Sequence, residues 1–451
     1  MSVKITYRTR LIQIATCLAF VMVLLDTSVV NVAVDSIRST FHTDMLGIQW
    51  VINSYSIVFS TLLLTAGSLG DRYGSKPIFL AGFFLFTIGS ILCGFSGTLG
   101  ALIFSRVIQG LGAALLVPTS LSIIRTIFED PTSRGKAVGW WGASGGIALA
   151  AGPVVGGLFI SHFGWPSIFL LNVPLGIISF GIVLIYAPSK KTKNSEKLDN
   201  YGQLLSAFTL SLLTYGLIEA SQSGWGSLAV IISFIGSALS ALLLILVERS
   251  HSNPIIPLKL FRSSVLGVAI IIGLIANLTF YGIIFVLSLY FQLVKHFTPE
   301  EVGTAFLPMM SSLFLVNIIA GRLLPRVGPK FLTSLGLIIS ALGYLLLLLA
   351  IQSPHQWETS VAMLLSGSGI ALAIPSITSA TLHSTPVEKA GIASGLLNSA
   401  RQVGGIIGVA IFGNLINVST STQFIGGVKI VLVVSCILLI YGAILSKLKL
   451  A

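Results

Sequence analysis

Residues 66–76 read AGSLGDRYGSK, and residues 320–330 read AGRLLPRVGPK. Six of the eleven positions match at a constant offset of 254 residues. Each copy is a short basic turn, with glycine, between two long apolar runs. A turn that recurs at the same place between such runs marks an internal repeat. It predicts an all-α fold with two related six-helix bundles, spans one to six answering spans nine to fourteen.

A membrane helix needs about 20 mostly apolar residues. Fourteen stretches qualify: 11–33, 47–70, 77–96, 99–124, 136–161, 166–187, 203–221, 228–248, 265–290, 301–323, 330–350, 358–381, 391–416 and 425–446. Composition agrees. Charged residues make up 9% of the 451 and hydrophobic ones 54%, where a soluble domain carries roughly 25% charge. Such a chain cannot build a polar skin, and it is too apolar for disorder. Lys4, Arg8 and Arg10 precede the first run as in a signal peptide. That run continues past Asp26 and Asn31, so an uncleaved first span is expected.

The net charge of +12 reads as topology rather than as a nucleic-acid surface. With the N-terminus cytoplasmic, 21 of the 26 Lys and Arg fall on the cytoplasmic side. The other side has Arg38, Lys295 and Lys429, while Arg106 and Arg401 lie inside spans. Both termini are therefore expected in the cytoplasm of a multi-pass cell (inner) membrane protein.

The repeat leaves spans seven and eight as an extra pair. The expected organisation is a bundle over 1–188, linkers with the inserted pair over 189–264, and a second bundle over 265–451. The basic segment 190–200 and the segment 248–261 read as cytoplasmic linkers. No segment between spans is long enough for a soluble domain and no GxxxxGK[ST] loop is present, which argues against an ATP-binding module. Energy must come from an ion gradient, the membrane potential or the substrate's own gradient. Cys17, Cys93 and Cys436 sit in apolar runs, and the six His lack ligand spacing. No metal site and no cofactor is expected.

Few ionisable residues occupy the spans: Asp26 in the first, Arg106 in the fourth, Glu219 near the outer end of the seventh, and Arg401 in the thirteenth. Each central charge costs about 2.5–3.5 kcal/mol on insertion scales. Such groups face a bundle interior or a water-filled cavity. A carboxylate set between desolvation and a neighbouring cation can gain and lose a proton as its surroundings change. Asp26 would also attract a cationic substrate. Proton and substrate competing for one carboxylate is the simplest antiport scheme.

The motifs extend this reading. Residues 25–33 (LDTSVVNVA) resemble the first-span signature of the fourteen-span drug:proton antiporters of the major facilitator superfamily. Gly67 to Lys76 is similar to the superfamily's loop motif G-x-L-x-D-R-x-G-x-K. Residues 102–114 (LIFSRVIQGLGAA) resemble its fourth-span motif, with Arg106, Gln109, Gly110 and Gly112 in place. Residues 148–158 (ALAAGPVVGGL) resemble the antiporter motif G-x-x-x-G-P-x-x-G-G, with Ala148 in place of its leading glycine. Gln49-Trp50-Val51 and Asn172-Val173-Pro174 also fit the branch. The likeness covers the whole chain.

The resemblance implies a proton-driven exporter of hydrophobic, expectedly cationic, drugs, and no enzymatic activity. Asp26 and Arg106 would couple protons. Asn31, Trp50, Tyr55, Gln109, Glu219, Tyr281 and Arg401 would line the substrate cavity. Gly67, Asp71, Arg72, Gly74 and Lys76 would form a conformational latch. Gly152, Pro153, Gly156 and Gly157 would pack helices closely and seal the halves against leak. Partners would be a small-molecule substrate, protons and the lipid bilayer, with no nucleic acid and a monomer as the working unit. The alternative is a dedicated exporter of one antibiotic, siderophore or metabolite. A solute:proton symporter fits the Gly-Pro motif less well.

Overall fold

A computed structural model describes residues 7–128, 130–188, 199–250, 264–353, 355–385, 390–416 and 421–450. The linkers expected at 190–200 and 248–261 lie largely outside the described residues. Among these the fold is all-helical. In chain order it runs α1 (Tyr7–Val29), α2 (Val34–Phe41), α3 (Met45–Tyr73), α4 (Ser75–Gly94), α5 (Leu99–Ile127), α6 (Pro131–Phe163), α7 (Ser167–Leu170), α8 (Asn172–Tyr186), α9 (Asn200–Ser223) and α10 (Leu228–Ser250). It continues with α11 (Ser264–Leu289), α12 (Pro299–Ala305), α13 (Leu307–Val327), α14 (Pro329–Ala350), α15 (Gln356–His383), α16 (Ala390–Leu415) and α17 (Ser421–Lys449). Among the described residues thirteen segments are long and apolar enough to cross a membrane. The two arms of α6, Ala137–Leu149 and Ala151–Phe163, meet at 45° and make one more when taken as a single span.

Polar caps and glycines set the boundaries. Asp44 Oδ1 accepts from Gly47 N at 3.1 Å, and Thr98 Oγ1 from Ala101 N at 3.2 Å, at the starts of α3 and α5. Between α3 and α4 stands Gly74 at φ +95°, and between α13 and α14 stands Gly328 at φ +84°. These glycines occupy the same place in the two copies of the repeat. Both need the positive φ that L side chains avoid.

Three expected spans are interrupted, among them the sixth, at Leu171 between α7 and α8. The first ends at Val29 rather than at residue 33, followed by a turn and α2. Asn31 Nδ2 folds back onto Thr27 O at 3.1 Å, so a polar side chain occupies the place of the next helical turn. The tenth is split into α12 and α13 at Phe306, just before Pro308. The ninth finishes in a π-helical turn over Tyr290–Val294.

Helices α1 to α8 pack mainly among themselves, and so do α11 and α13 to α17, while the short α12 packs chiefly against α6. Within the first group α5 lies against α3 and α4, and α1 against α6 and α8. Within the second, α15 lies against α13 and α14, and α11 against α16 and α17. The inserted α9 and α10 pair with each other, and α9 lies along both α3 and α16. Leu217 and Ile218 of α9 bury with Ala410 of α16, against Leu46 and Trp50 of α3. Asn414 Nδ2 donates to Leu217 O. The inserted pair therefore covers one seam between the two groups.

The groups also meet directly, on the side opposite the basic turns. Asp35 N donates to Gln292 Oε1 at 3.0 Å, Ser288 Oγ to Asn31 O, and Gln49 Nε2 to Val409 O at 3.5 Å. A large apolar cluster runs across this far side, from Val29, Val34 and Ile37 to Phe285, Phe291 and Phe306.

Candidate functional site

The ionisable residues of the first group come together. Asp26 on α1 and Arg106 on α5 form an ion pair, with Arg106 Nη1 2.5 Å from Asp26 Oδ2. Asp26 is 0% exposed and Arg106 1%. Gln109, one turn along α5, donates from Nε2 to Asp26 Oδ1 at 2.7 Å and to Ser90 Oγ at 3.0 Å. Its Oε1 accepts from Arg106 Nη1 at 2.7 Å. Arg106 Nε donates to Val51 O at 3.1 Å, where α3 supplies a carbonyl. The guanidinium carbon lies 4.3 Å from the Tyr55 ring centroid and 5.6 Å from that of Phe169. Each charge thus has an opposite charge and hydrogen bonds, and the Arg106 cation also has aromatic faces, which together offset the cost of burying an ion pair.

Close backbone approach makes the cluster possible. A Cβ on Gly110 would stand 2.7 Å from Tyr55 O, and one on Gly112 would run into the Phe86 backbone. With glycine at both places, α5 sinks between α3 and α4 and carries Arg106 and Gln109 inward. Ser90 and Phe169 were not singled out in the sequence. The signal for Ser90 was present: a hydroxyl beside Gly89, in a run with few polar groups.

The Gly-Pro face of α6 is split between two neighbours. Gly152 and Gly156 lie against Ser28 and Val29 of α1, just past Asp26. Gly157 lies against Pro299 and Glu300 of α12, and Gly303 of α12 lies against the Pro153 carbonyl. The helix is therefore a wedge between the Asp26 end of α1 and the second group.

The remaining expected cavity residues are scattered. Tyr55 belongs to the ion-pair cluster, and its hydroxyl donates to Val23 O at 3.3 Å. Asn31 sits in the turn after α1, where its carbonyl takes part in the far-side contact. Trp50 faces the inserted pair, with its ring 6.2 Å from Tyr215. Glu219, on α9, accepts from Ser223 Oγ at 2.6 Å and lies apart from Asp26. Tyr281 and Arg401 share the α11–α16 contact: the Arg401 stem lies on Gly273, and the Tyr281 ring on Gly405.

In the basic turn Lys76 ties the start of α4 to the end of α8. Lys76 Nζ donates to Leu184 O at 2.9 Å and to Ala187 O at 2.8 Å. It caps the open carbonyls at the end of α8, within the first group. Arg72 lies over the Tyr73 ring at 5.3 Å. Gly67 has ordinary clearance from Pro118, and the side chain of Asp71 lies outside the described residues.

The sequence pattern of the Major Facilitator Superfamily matches residues 16–409. The multidrug resistance protein Stp of Mycobacterium tuberculosis (strain CDC 1551 / Oshkosh) is 34% identical, over 91% of this chain and 76% of its own length. The methylenomycin A resistance protein of Bacillus subtilis (strain 168) is also 34% identical, over 91% of this chain and 88% of its own. The fold resembles the crystal structure of a D-xylose-proton symporter, with a TM-score of 0.71 at 14% identity, covering 98% of both chains.

Proposed function

The chain belongs to the major facilitator superfamily, and we propose that it is a proton-coupled exporter of hydrophobic drugs or toxic compounds, working by alternating access. It is a multi-pass membrane transporter and not an enzyme. Two relatives carry the names of resistance proteins, one for multiple drugs and one for methylenomycin A. The observation that carries the coupling proposal is the buried Asp26–Arg106 pair, wrapped by Gln109 and adjoining the α6 wedge.

On this reading the chain has fourteen spans, with the bent α6 counted as one. Residues 1–188 and 265–451 are the two six-helix bundles, and 189–264 carry the inserted pair. Both termini and the basic turns face the cytoplasm of the cell's inner membrane. A single chain in the lipid bilayer is the working unit. The far-side contacts then close the outer entrance, so the arrangement is the one open to the cytoplasm.

Asp26 is the coupling group. While Arg106 and Gln109 occupy its two oxygens, the cluster is neutral and locked. A proton on Asp26 removes the negative charge that holds Arg106, and a cationic substrate competes for the same carboxylate. Either event changes what α1 needs from its neighbours. Ser28 and Val29 pass that change to Gly152 and Gly156. Across α6, Pro153 and Gly157 pass it to α12 at the outer contact. Sites so linked share a two-state element that both can bias. Gly74 and Lys76 fix the turn between the second and third spans, and Lys76 holds the end of the sixth.

Purified protein in liposomes tests this, with ethidium as the cationic probe and an imposed proton gradient. Ethidium should move against the proton flow and stop when a protonophore is added. Equal movement with and without the gradient would contradict proton coupling. A panel of unrelated compounds would separate a broad exporter from one dedicated to a single antibiotic, the reading favoured by the name of the Bacillus relative.

A further inference from the structure

Arg401 is a charge in a span interior that the coupling scheme leaves unused. It stands eleven residues into α16, about 16 Å along the axis at 1.5 Å per residue. Among the described residues no carboxylate lies within ion-pair distance of it. Its one hydrogen bond runs from Nη1 to Asn398 Oδ1 at 3.2 Å, on the preceding turn of its own helix. Its Nε is buried without a protein acceptor. A guanidinium that served only to lock helices would be met by a carboxylate or a carbonyl of a neighbouring span, as Arg106 is.

The direction of Arg401 follows from its helix. On α16, Leu397, Gly404, Gly408 and Phe412 meet α11, while Val409 and Gly413 meet α3. At about 100° per residue, Asn398 and Gly405 fall between those two strips, while Arg401 stands on the α11 strip with its stem on Gly273 and its head turned to Asn398. Since α11 belongs to the second group and α3 to the first, that strip borders the space between the groups. Asn398 is exposed, Arg401 is partly exposed, and the Tyr281 ring on Gly405 flanks the same strip. The Asp26–Arg106 pair is neutral as a unit and Glu219 lies on the inserted helix. Among the described residues Arg401 is therefore a charge at this border with no opposite charge beside it, and it is positive.

We propose that Arg401, with Asn398 and Tyr281 beside it, binds an acidic group, a carboxylate or comparable oxyanion, on amphiphilic compounds that the chain exports. A guanidinium presents five donors in a planar fork suited to such a group, and Asn398 occupies one of them. The Tyr281 ring, seated on Gly405, offers an apolar face for the body of the compound. This assignment rests on the exporter reading and names a substrate class for it: drugs with an acidic group, including zwitterions whose cationic end lies toward Asp26.

The test uses the full chain in lipid nanodiscs and two matched probes, a biphenyl-alkanoate and its primary amide. Wild-type protein should bind the carboxylate about tenfold tighter than the amide, the scale of a charge-assisted hydrogen bond. Arg401→Gln should equalise the two probes, and Arg401→Lys should keep part of the preference. Equal affinity of the two probes for wild type would overturn the proposal without any variant. A preference that survives in Arg401→Gln would overturn it too. Gradient-driven ethidium efflux by wild-type protein is the separate check on the exporter reading. If ethidium moves but the carboxylate is not preferred, the acidic subsite alone fails. If ethidium does not move, the exporter reading fails whatever the binding shows.

Discussion

Arg106 and Asp26, 80 positions apart in the chain and on antiparallel helices, meet at 2.5 Å in a site with almost no solvent exposure. Removing one partner leaves the other as an isolated buried charge. Arg106→Leu or Asp26→Leu should each lower stability by about 3–5 kcal/mol. The double replacement should cost less than the two single losses added together. Thermal unfolding of the detergent-purified variants checks this, and additive losses would mean that the two residues do not act as a pair.

Gln109 bridges both members of the pair to Ser90. Gln109→Leu strands polar groups at a buried site and should cost about 1–3 kcal/mol. It should also slow efflux. Ser90→Ala removes one acceptor and should have the smaller effect on both measurements.

Helix α5 can sit where it does only with glycine at its close contacts. Gly112→Val would force the α4 and α5 backbones apart, and thermal stability and efflux should fall together. Gly100→Ala, on the same helix with no heavy atom near its added methyl group, should leave both near wild type. A harmless Gly112→Val would refute the packing account.

The outer contact should behave as a gate. Cysteines at Asp35 and Gln292, bridged by a short bifunctional thiol reagent, should stop transport, and a reductant should restore it when the reagent carries a disulfide. Gly303→Val, which crowds the Pro153 carbonyl, should open the same contact. A cysteine placed at Ser288 would then react faster with an impermeant thiol reagent from outside.

Much of the fold could be read from the chain. Span lengths follow from bilayer thickness, so the apolar runs located nearly every helix. The repeated turn placed Gly74 and Gly328 correctly because a positive φ restricts the residue type. Asp26 and Arg106 stood out because charges in spans are rare and need partners. Neighbour relations were far less legible. Lipid-facing and helix-facing surfaces are both apolar, so no polar stripe states which face meets which helix. Nothing in the sequence therefore told that α9 would lie along α3 and α16, or that Trp50 would turn toward it. The breaks after Val29 and at Phe306 were hidden for a related reason: the apolar run continues through the turn. Lys76 illustrates a third limit. Its motif marked it as a bridge to neighbouring helices, and the acceptors it finds are carbonyls at the end of α8, which the side-chain sequence does not name.

On the proposed mechanism Asp26 couples the proton to the substrate. Wild type and Asp26→Asn should be compared in liposomes under one imposed proton gradient, with ethidium efflux and proton uptake recorded together. The asparagine keeps the shape and one hydrogen bond of the site but cannot exchange a proton at the carboxylate. Gradient-driven efflux should fall to the level of protein-free liposomes, and ethidium should no longer elicit proton movement. Wild-type rates of both in Asp26→Asn would contradict the account.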